Sequence, residues 1–390
     1  MVRAGCCSLV CALAALAPGA VARADNPPIV DRNYAIDLYD GVAIGNTAMV
    51  GMGGAGAALI NGTAGALINP SAIAVRQTTD LDAWNWDYHV DALTGKYSSD
   101  YDNNGVAAGE DSGAALVTSG LALRIHDWSG AITYLTQSAD IPGSSPALSA
   151  SATRVRLIVG KYDPQYDLAI GVGVQFASFG LAESGTTLFS VTGTGLTGGA
   201  TWLPNQADIR IGGAIDLPIS GGQVTTRSCD PMSCRGYIFL NEVDAPARLV
   251  GGIAYRIGPT PWNQPYIGVF RDERALTLAA DLVVTGPTGN GYGLEAFGMQ
   301  QLQRSGKTAA VSLRGGAEYE WLPGALRVRG GMYWEPSRFD GVGGRLHATL
   351  GAELAVWQFH LRGLRRLRLG FTGDVASRYR NAGVSLGFWH

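Results

Sequence analysis

Apolar and polar residues alternate with a period of two along most of the chain. Near the C-terminus, Leu346, Leu350 and Leu354 fall on one face of a segment whose other face carries His347 and Glu353. A period of two is that of side chains on a β-strand, whereas an amphipathic helix repeats about every 3.6 residues. The pattern therefore predicts an all-β protein whose strands each have one apolar and one polar face.

Fourteen segments of this kind follow one another, and most exceed the roughly 5–6 residues that are usual for strands in soluble sheets. One of them, 275–302, contains Gly286 and Pro287. It is interpreted as a single strand with a bulge, because membrane barrels of this class have an even number of strands. The predicted strands are 80–93, 114–126, 130–139, 152–162, 167–179, 187–202, 207–218, 247–257, 275–302, 308–321, 326–335, 345–357, 366–375 and 379–388.

Two folds fit such strands: a soluble sandwich with one solvated face, and a transmembrane antiparallel β-barrel with a wet lumen. Strand length favours the barrel. The last strand also ends on the aromatic Phe388, which is similar to the C-terminal recognition sequence of outer-membrane barrels. We therefore expect a barrel of about fourteen strands that contacts outer-membrane lipids and is assembled by the barrel-assembly machinery.

The connections between the strands predict an orientation. Those assigned to the outside include the long stretches 94–113 and 219–246, whereas most of those assigned to the periplasm are short. Both chain ends are then expected in the periplasm. The tryptophans near the periplasmic turns would form an interfacial girdle, as in other membrane barrels. They are Trp128, Trp202, Trp262, Trp321 and Trp357.

The N-terminus carries the features of a cleaved secretory signal peptide. Arg3 precedes a short apolar run over residues 6–17, and Ala22-Arg23-Ala24 is a small-x-small cleavage site. The apolar run is too short to form a spanning helix. We therefore assign residues 1–24 to the signal peptide and expect export to the bacterial outer membrane.

Composition supports a membrane barrel and excludes other classes. Only 16% of the residues are charged, against about 25% in an average soluble protein. The chain contains 55 glycines, and after the signal peptide no stretch approaches the roughly 18 consecutive apolar residues of a spanning helix. The formal net charge of −3 provides no basic surface for nucleic acid.

Charged residues recur on the polar face of the strands. A charge facing the lipid at the bilayer midplane costs about 2–4 kcal/mol, so these side chains are predicted to point into the lumen. They would either form a network that rigidifies the barrel and holds an internal plug, or line a gated polar path. The candidates are Arg154, Arg156, Arg210, Arg314, Glu318, Arg327, Arg329, Glu353 and Arg368.

Residues 41–73 interrupt the alternation with a nearly uncharged stretch rich in glycine and alanine. Small residues allow close backbone approach, which suits a plug threaded into a barrel lumen. We therefore predict a plug at 25–79 and a barrel at 80–390. The candidate plug or gate residues are Gly53, Gly54, Gly56, Asn69, Pro70 and Ser71.

These residues resemble the FadL-type family of long-chain fatty acid and hydrocarbon transporters. Residues 52–57 match the glycine- and alanine-rich stretch of that family, and Asn69-Pro70-Ser71 matches its Asn-Pro-Ala motif, with Ser71 in place of alanine. Residues 312–319, 326–333 and 335–337 resemble its C-terminal strands. The resemblance implies a fourteen-stranded barrel with an N-terminal plug.

The resemblance also implies passive uptake of a hydrophobic small molecule, such as a fatty acid or a hydrocarbon. Two alternatives remain open at this point. The chain would be a non-transporting scaffold or secretion-shuttle barrel if its lumen is solid, and a general porin if its lumen is open and charged. An apolar pocket beneath the outer loops would favour the uptake channel.

The remaining motifs do not indicate an enzyme, a cofactor or a metal centre. Gly383-x-Ser385-x-Gly387 resembles a nucleophile elbow, but only three residues follow it and no helix can form. Cys229 and Cys234 remain after removal of the signal peptide, and an oxidising compartment predicts a local disulfide between them. Zinc would require further cysteine or histidine ligands nearby, and the sequence has none there.

Overall fold

The structure of the chain is a computed structural model. It describes residues 26–39, 45–81, 83–98, 100, 102–105, 111–141, 148–221, 225–226, 230–264, 268–361 and 363–390. The predicted signal peptide, residues 1–24, lies outside the described residues.

Fourteen strands form one closed antiparallel barrel. Each strand pairs with its neighbour in sequence, and the last strand closes the ring by pairing with the first, from Tyr379 opposite Tyr97 to Gly387 opposite His89. The predicted fold class is therefore confirmed. The strands are β1 (Trp84–Ser98), β2 (Asp111–Ile125), β3 (Trp128–Ile141), β4 (Leu148–Asp163), β5 (Leu168–Glu183), β6 (Thr186–Trp202), β7 (Ile209–Asp216), β8 (Arg248–Ile257), β9 (Leu276–Thr285), β10 (Ala310–Leu322), β11 (Leu326–Glu335), β12 (Arg345–His360), β13 (Leu364–Ala376) and β14 (Tyr379–Phe388).

The two ends of the barrel differ in their connections. Short turns between β2 and β3, β4 and β5, and β6 and β7 lie at the end that also holds the C-terminal His390, which we call the lower end. The long connections from β7 to β8 and from β9 to β10 lie at the opposite, upper end. They contain the short strands Ile219–Ser220, Thr225–Thr226, Glu242–Ala245 and Gly291–Tyr292 and the helix Leu294–Gly298.

The predicted single strand at 275–302 is wrong. Strand β9 ends at Thr285, which pairs with Ala310 at the start of β10, and residues 286–309 form an upper loop. Pro287 has no N–H to donate to a strand ladder, and the N–H of Gly286 already donates to Ala247 O at 2.8 Å. The number of barrel strands is still fourteen, because residues 286–302 belong to no barrel strand.

The outer face of the barrel is apolar and the inner face is polar. Leu350 is 73% exposed, and Leu313 and Val172 are exposed by 64% and 60%. The alternate positions His347 and Glu353 are buried in the lumen. A continuous apolar surface of this extent is not found on soluble monomers. It is the surface that a barrel presents to lipid.

Residues 45–75, which we call the inner segment, lie across the middle of the lumen. They form the short helices Thr47–Gly51 and Gly62–Gly65 and the 3-10 helix Pro70–Ala74. Nearly all of these residues are buried, and they contact strands on every side of the barrel. In the described part of the chain, no helix has both the length and the apolar character needed to cross a membrane.

A ring of inward-facing glycines, which we call the glycine belt, receives the inner segment. A Cβ atom on Gly171 would lie 2.3 Å from the carbonyl oxygen of Pro70, and one on Gly331 would lie 2.4 Å from the nitrogen of Gly53. Because real Cβ atoms do not approach other atoms so closely, only glycine allows this packing. Among the described residues, the belt consists of Gly120, Gly160, Gly171, Gly199, Gly212, Gly252, Gly316, Gly331, Gly351 and Gly370.

The chain before the inner segment lies at the upper end of the barrel, opposite His390. The short strand Ala35–Asp37 pairs in parallel with Glu242–Ala245 and with Gly291–Tyr292, and Tyr34 is buried among the upper loops. The prediction that both chain ends share one side is therefore wrong for the described residues. Apolar side chains near the N-terminus gain more by burial under the upper loops than they would at a wet lower mouth.

We predict that the glycine belt determines how firmly the inner segment is held. Gly331→Ala should lower the free energy of unfolding by about 1–3 kcal/mol, the usual cost of overpacking, and should make the inner segment accessible to protease. Urea unfolding in detergent and limited proteolysis measure the two effects.

Gly251→Ala is the matched control, because a Cβ atom at this position of β8 meets no atom within 4 Å. Its stability should stay within about 0.5 kcal/mol of the parent protein. Equal stability and equal protease resistance of the two variants would contradict the proposed role of the belt.

Candidate functional site

The three predicted plug glycines lie where the inner segment touches the wall. Gly53 and Gly54 both have a positive φ, of 60° and 76°, which other residues rarely adopt. A Cβ atom on Gly53 would lie 2.5 Å from the nitrogen of Met332 in β11. Gly56 contributes its backbone N–H, which donates to Asp281 at 2.9 Å. These positions therefore turn the backbone and bring it against the barrel.

Asn69, Pro70 and Ser71 form a compact joint between the inner segment and strand β6. The Oδ1 atom of Asn69 accepts the Ser71 N–H at 3.1 Å and its Oγ–H at 2.8 Å. The Nδ2 atom of Asn69 donates to Ala57 O at 2.8 Å and to Thr201 Oγ1 at 3.0 Å. Pro70 starts the 3-10 helix, where its missing N–H has no consequence. The motif therefore braces the inner segment against itself and against the wall.

Carboxylates of the wall accept hydrogen bonds from the backbone of the inner segment. Asp281 in β9 accepts the N–H groups of Gly56 and Ala57, both at 2.9 Å. Asp91 in β1 accepts the N–H and the hydroxyl of Thr47, both at 2.8 Å. Asp87, also in β1, accepts the same two groups of Thr63, at 2.7 and 3.0 Å.

Sequence reasoning missed the anchoring role of Asp87, Asp91 and Asp281. The alternation of polar and apolar residues in strands β1 and β9 already indicates that these side chains point into the lumen. Their hydrogen-bond donors could not be predicted, because every residue except proline has a backbone N–H group and the sequence does not show which of them lie nearby. Buried carboxylates need such partners, and each hydrogen bond to a charged acceptor contributes about 1.5–3 kcal/mol.

Arg156 anchors the carbonyl side of the inner segment. Its Nη1 atom donates to Leu67 O at 3.0 Å and to Ala66 O at 3.3 Å, while Nη2 pairs with Asp216 at 3.1 Å. Arg248 pairs with the same carboxylate at 2.6 Å. Arg156 was predicted to point into the lumen. Its contacts there hold carbonyl groups of the inner segment against strand β4.

Five of the predicted lumen charges come together on strands β10 to β13, below the inner segment. Glu353 accepts from Arg329 at 2.8 Å and from Arg368 at 2.7 Å. Arg329 also pairs with Glu318 at 2.6 Å, and Arg327 with Glu318 at 3.4 Å. Every charge in this interlocked group has a partner, so the group stiffens the wall.

Arg210 lies at the lower mouth and not in that group. Its guanidinium stacks over the ring of Trp262 at 3.9 Å and donates to Asn263 at 2.8 Å and to Asn61 of the inner segment at 3.2 Å. Trp262 is therefore engaged inside the mouth, and its predicted place in a lipid-facing girdle is wrong. Trp128 and Trp357 are exposed on the outer face, as the girdle requires.

A cavity of about 380 Å³ opens below the inner segment. Its lining is rich in paired charges, among them Arg327, Arg329 and Glu353, and includes Arg256 and Phe270. Glu273 lies in the lower loop that closes one side of the cavity. Burial alone would raise the pKa of its carboxyl group, but hydrogen bonds from Thr260 and Arg256 have the larger effect, so the pKa lies below its usual value. This chamber suits water and ions better than an apolar molecule.

The upper half of the lumen is different, because an apolar cluster lies beneath the loops on the side of strands β3 to β6. Residues of the N-terminal segment, of strands β3 to β6 and of the upper loops meet there. The upper apolar cluster consists of Ile29, Tyr34, Ile36, Ile141, Leu148, Ala150, Phe179, Leu181, Leu188, Phe189, Val191, Cys234, Tyr237, Phe239, Leu240, Val243, Leu294 and Phe297.

A cavity of about 60 Å³ borders this cluster and forms the upper chamber. Ile36, Phe179 and Leu294 line it, and the ion pair between Arg338 and Asp37 lies at its edge with a distance of 3.0 Å. The upper chamber and the lower cavity share no lining residue. The inner segment lies between them.

A second upper cavity, of about 30 Å³, continues from the chamber and contains the remaining predicted charges. Leu38 and Tyr39 line both spaces. Arg154, Arg314 and Arg248 line the second cavity. Asp216, which pairs with Arg156 and Arg248, is the carboxylate in the described lining of this cavity.

His347 lies at the centre of a buried polar chain near the upper ends of β11 to β13. Its ring nitrogens contact Glu335 at 2.8 Å and Asp374 at 2.9 Å. Tyr333 donates to Asp374 at 2.7 Å and stacks on the imidazole at 4.1 Å. The sequence predicted an inward polar residue here, and this position is confirmed.

The predicted disulfide concerns an upper loop. Cys234 is fully buried in the upper apolar cluster and is disulfide-bonded. Cys229 lies outside the described residues, so its pairing with Cys234 stays a prediction.

The architecture is similar to that of solved hydrocarbon channels. The toluene transporter TodX of Pseudomonas putida shares 13% identity, with 91% of this chain and 99% of that chain covered and a TM-score of 0.52. CymD, a monoaromatic hydrocarbon channel, shares 13% identity over 88% of this chain and 96% of that chain, with a TM-score of 0.54. The toluene transporter TbuX of Ralstonia pickettii shares 11% identity over 88% and 97%, with a TM-score of 0.52.

No protein-family model matches the sequence, and no curated protein matches it. The similarity is therefore structural: a ring of fourteen antiparallel strands and nearly complete coverage of each channel. At this level of identity, such similarity shows the fold. The chain has the fold of the FadL-type outer-membrane hydrocarbon channels.

Proposed function

We propose that this protein is an outer-membrane channel for the passive uptake of hydrophobic small molecules. The observation that carries the proposal is the upper apolar cluster with its chamber, placed above a lumen that the inner segment fills. An open polar porin would not need an apolar chamber. A pure scaffold would not need a chamber that continues into an arginine-lined cavity.

The proposal assigns the upper end to the outside of the cell and the lower end to the periplasm. Long loops at the upper end and short turns at the lower end support this orientation, as in other outer-membrane barrels. A hydrophobic molecule would then meet the apolar chamber first. It would reach the lower cavity only after the inner segment shifts, and no energy source is required.

The charges favour an amphipathic acid over a plain hydrocarbon. Arg338 is neutralised by Asp37, but Arg314, which lines the cavity beside the chamber, forms no ion pair with a carboxylate among the described residues. The chamber of about 60 Å³ is smaller than the roughly 300–1,000 Å³ of most ligand pockets, so a fatty acid would insert its tail by displacing side chains of the upper apolar cluster. Its carboxylate would then lie near Arg314. Arginine recognises carboxylates with charge-assisted hydrogen bonds.

We predict saturable binding of dodecanoate to the full chain in lipid nanodiscs, with weaker binding of toluene. Arg314→Met should weaken dodecanoate binding about tenfold, since a hydrogen bond to a charged group contributes about 1.5–3 kcal/mol. It should leave toluene binding unchanged. Equilibrium binding of radiolabelled ligand provides the measurement.

Arg380→Met is the control, because Arg380 is exposed on β14. Stronger binding of toluene than of dodecanoate would indicate that the substrate is a hydrocarbon and not an acid. Absence of saturable binding of both compounds would favour the non-transporting scaffold.

We also predict that the inner segment closes the channel. A chain lacking residues 26–68 should show a higher single-channel conductance in planar bilayers than the full chain, because the space below the upper chamber is emptied. A chain lacking only residues 26–39 keeps the inner segment and serves as the control, with conductance near that of the full chain. An assembled 26–68 deletion whose conductance equals that of the full chain would rule out this gating role.

A further inference from the structure

Three carboxylates from two different upper loops converge above the barrel. Asp100 and Asp102 lie in the connection from β1 to β2, and Glu295 lies in the helix Leu294–Gly298 of the connection from β9 to β10. One oxygen atom of each carboxylate lies within 4.8 Å of those of the other two. Like charges repel at such distances unless a cation or protons intervene.

Two of the three carboxylates are buried, which raises the cost of leaving their charges unbalanced. Asp100 and Glu295 are only 3% and 2% exposed. The Oδ2 atom of Asp102 accepts the N–H of Glu295 at 3.3 Å, whereas its Oδ1 atom is buried with no hydrogen-bond partner among the described residues. A buried carboxylate oxygen without a partner is costly, so a ligand is expected to complete it.

Among the described residues, two arginines lie against Asp100. Arg378 pairs with Asp100 at 3.3 Å. Arg345 donates to the backbone oxygen of Asp100 at 3.2 Å, but its charge is matched by Glu335 at 2.5 Å. Neither contact involves Asp102 Oδ1, the buried oxygen without a hydrogen-bond partner among the described residues.

The sequence of the first loop independently has the spacing of a calcium loop. Asp100-x-Asp102-x-Asn104-Gly105 matches the first six positions of an EF-hand loop, in which the sixth is glycine for a sharp turn. Gly105 has a φ of 81°, and the N–H of Asn104 donates to Asp100 Oδ1 at 2.8 Å. Asp111 occupies the twelfth position in the sequence, although its side chain is outside the described part.

We propose that Asp100, Asp102 and Glu295 bind a calcium ion that joins the two upper loops. The donors are all hard oxygens, which suit Ca²⁺, whereas Zn²⁺ and Cu²⁺ prefer nitrogen and sulfur. The supply of calcium to this end rests on the proposed function, which places it outside the cell. There, millimolar calcium is sufficient for sites with dissociation constants of about 10⁻⁴–10⁻³ M.

Such an ion would fix the roof of the upper chamber. Leu294 and Phe297, which flank Glu295 on the same short helix, pack in the upper apolar cluster. Asp102 and Leu294 both line the upper chamber. A bound ion would therefore hold the apolar wall of the chamber in place, and its release would free the helix to move.

Calcium titration of the full chain, refolded in detergent without lipopolysaccharide, tests the proposal. Isothermal calorimetry should give one site with a dissociation constant of about 10⁻⁴–10⁻³ M and at least tenfold weaker binding of Mg²⁺. Glu295→Gln and Asp102→Asn should each weaken calcium binding at least about tenfold, because each removes a charged ligand. Asp340→Asn, at an exposed upper-loop carboxylate, should bind calcium like the parent protein.

Absence of calcium binding by the parent protein up to about 10 mM, a concentration well above that of extracellular sites, would overturn the proposal. Equal affinity of the parent protein and both variants would do the same. If a variant fails to assemble, hydrogen exchange of the parent protein decides: calcium should slow exchange at residues 294–298, and unchanged exchange contradicts the site. Dodecanoate binding is measured separately, so failure of the calcium site and failure of the channel proposal are distinguishable.

Discussion

Close contact between the backbone of the inner segment and the glycine belt is the constraint on which the rest of the structure depends. Gly316 and Gly331 leave room for Met52 and Gly53, where a methyl group on either wall residue would lie about 2.4 Å from the segment. This contact fills the middle of the lumen with backbone, which brings its own N–H and carbonyl groups into the barrel. Those groups must then find partners, since an unpaired buried polar group is costly.

The polar face of the wall supplies these partners. Asp91 and Asp281 accept N–H groups, and Arg156 donates to carbonyls. Below the segment, charges of the wall pair with each other, as Arg329 and Glu353 do. The need for polar partners also explains why the two cavities differ. The paired charges make the lower cavity polar. The apolar N-terminal residues and upper loops make the lining of the upper chamber apolar, which suits a hydrophobic molecule.

Much of the fold could be predicted, because the alternation of apolar and polar residues identifies strands directly. The predicted bounds of strand β11, 326–335, agree with the structure to the residue. The inward parity of Arg329 and Glu318 was equally accessible, but their pairing depends on the register of β10 and β11, which places them opposite each other. The upper-end location of the N-terminal strand Ala35–Asp37 was not accessible, since its burial depends on loops distant in sequence. The calcium spacing was visible in the sequence, but Glu295 completes it only in three dimensions.

A structure of the protein in nanodiscs with a terminally brominated dodecanoate tests the central claim most directly. We expect bromine density in the upper chamber near Ile36 and Phe179, with the carboxylate toward Arg314 and the inner segment in place below. Bromine density confined to the lipid-facing surface, with an unchanged and empty chamber, would contradict the claim that this lumen receives hydrophobic molecules.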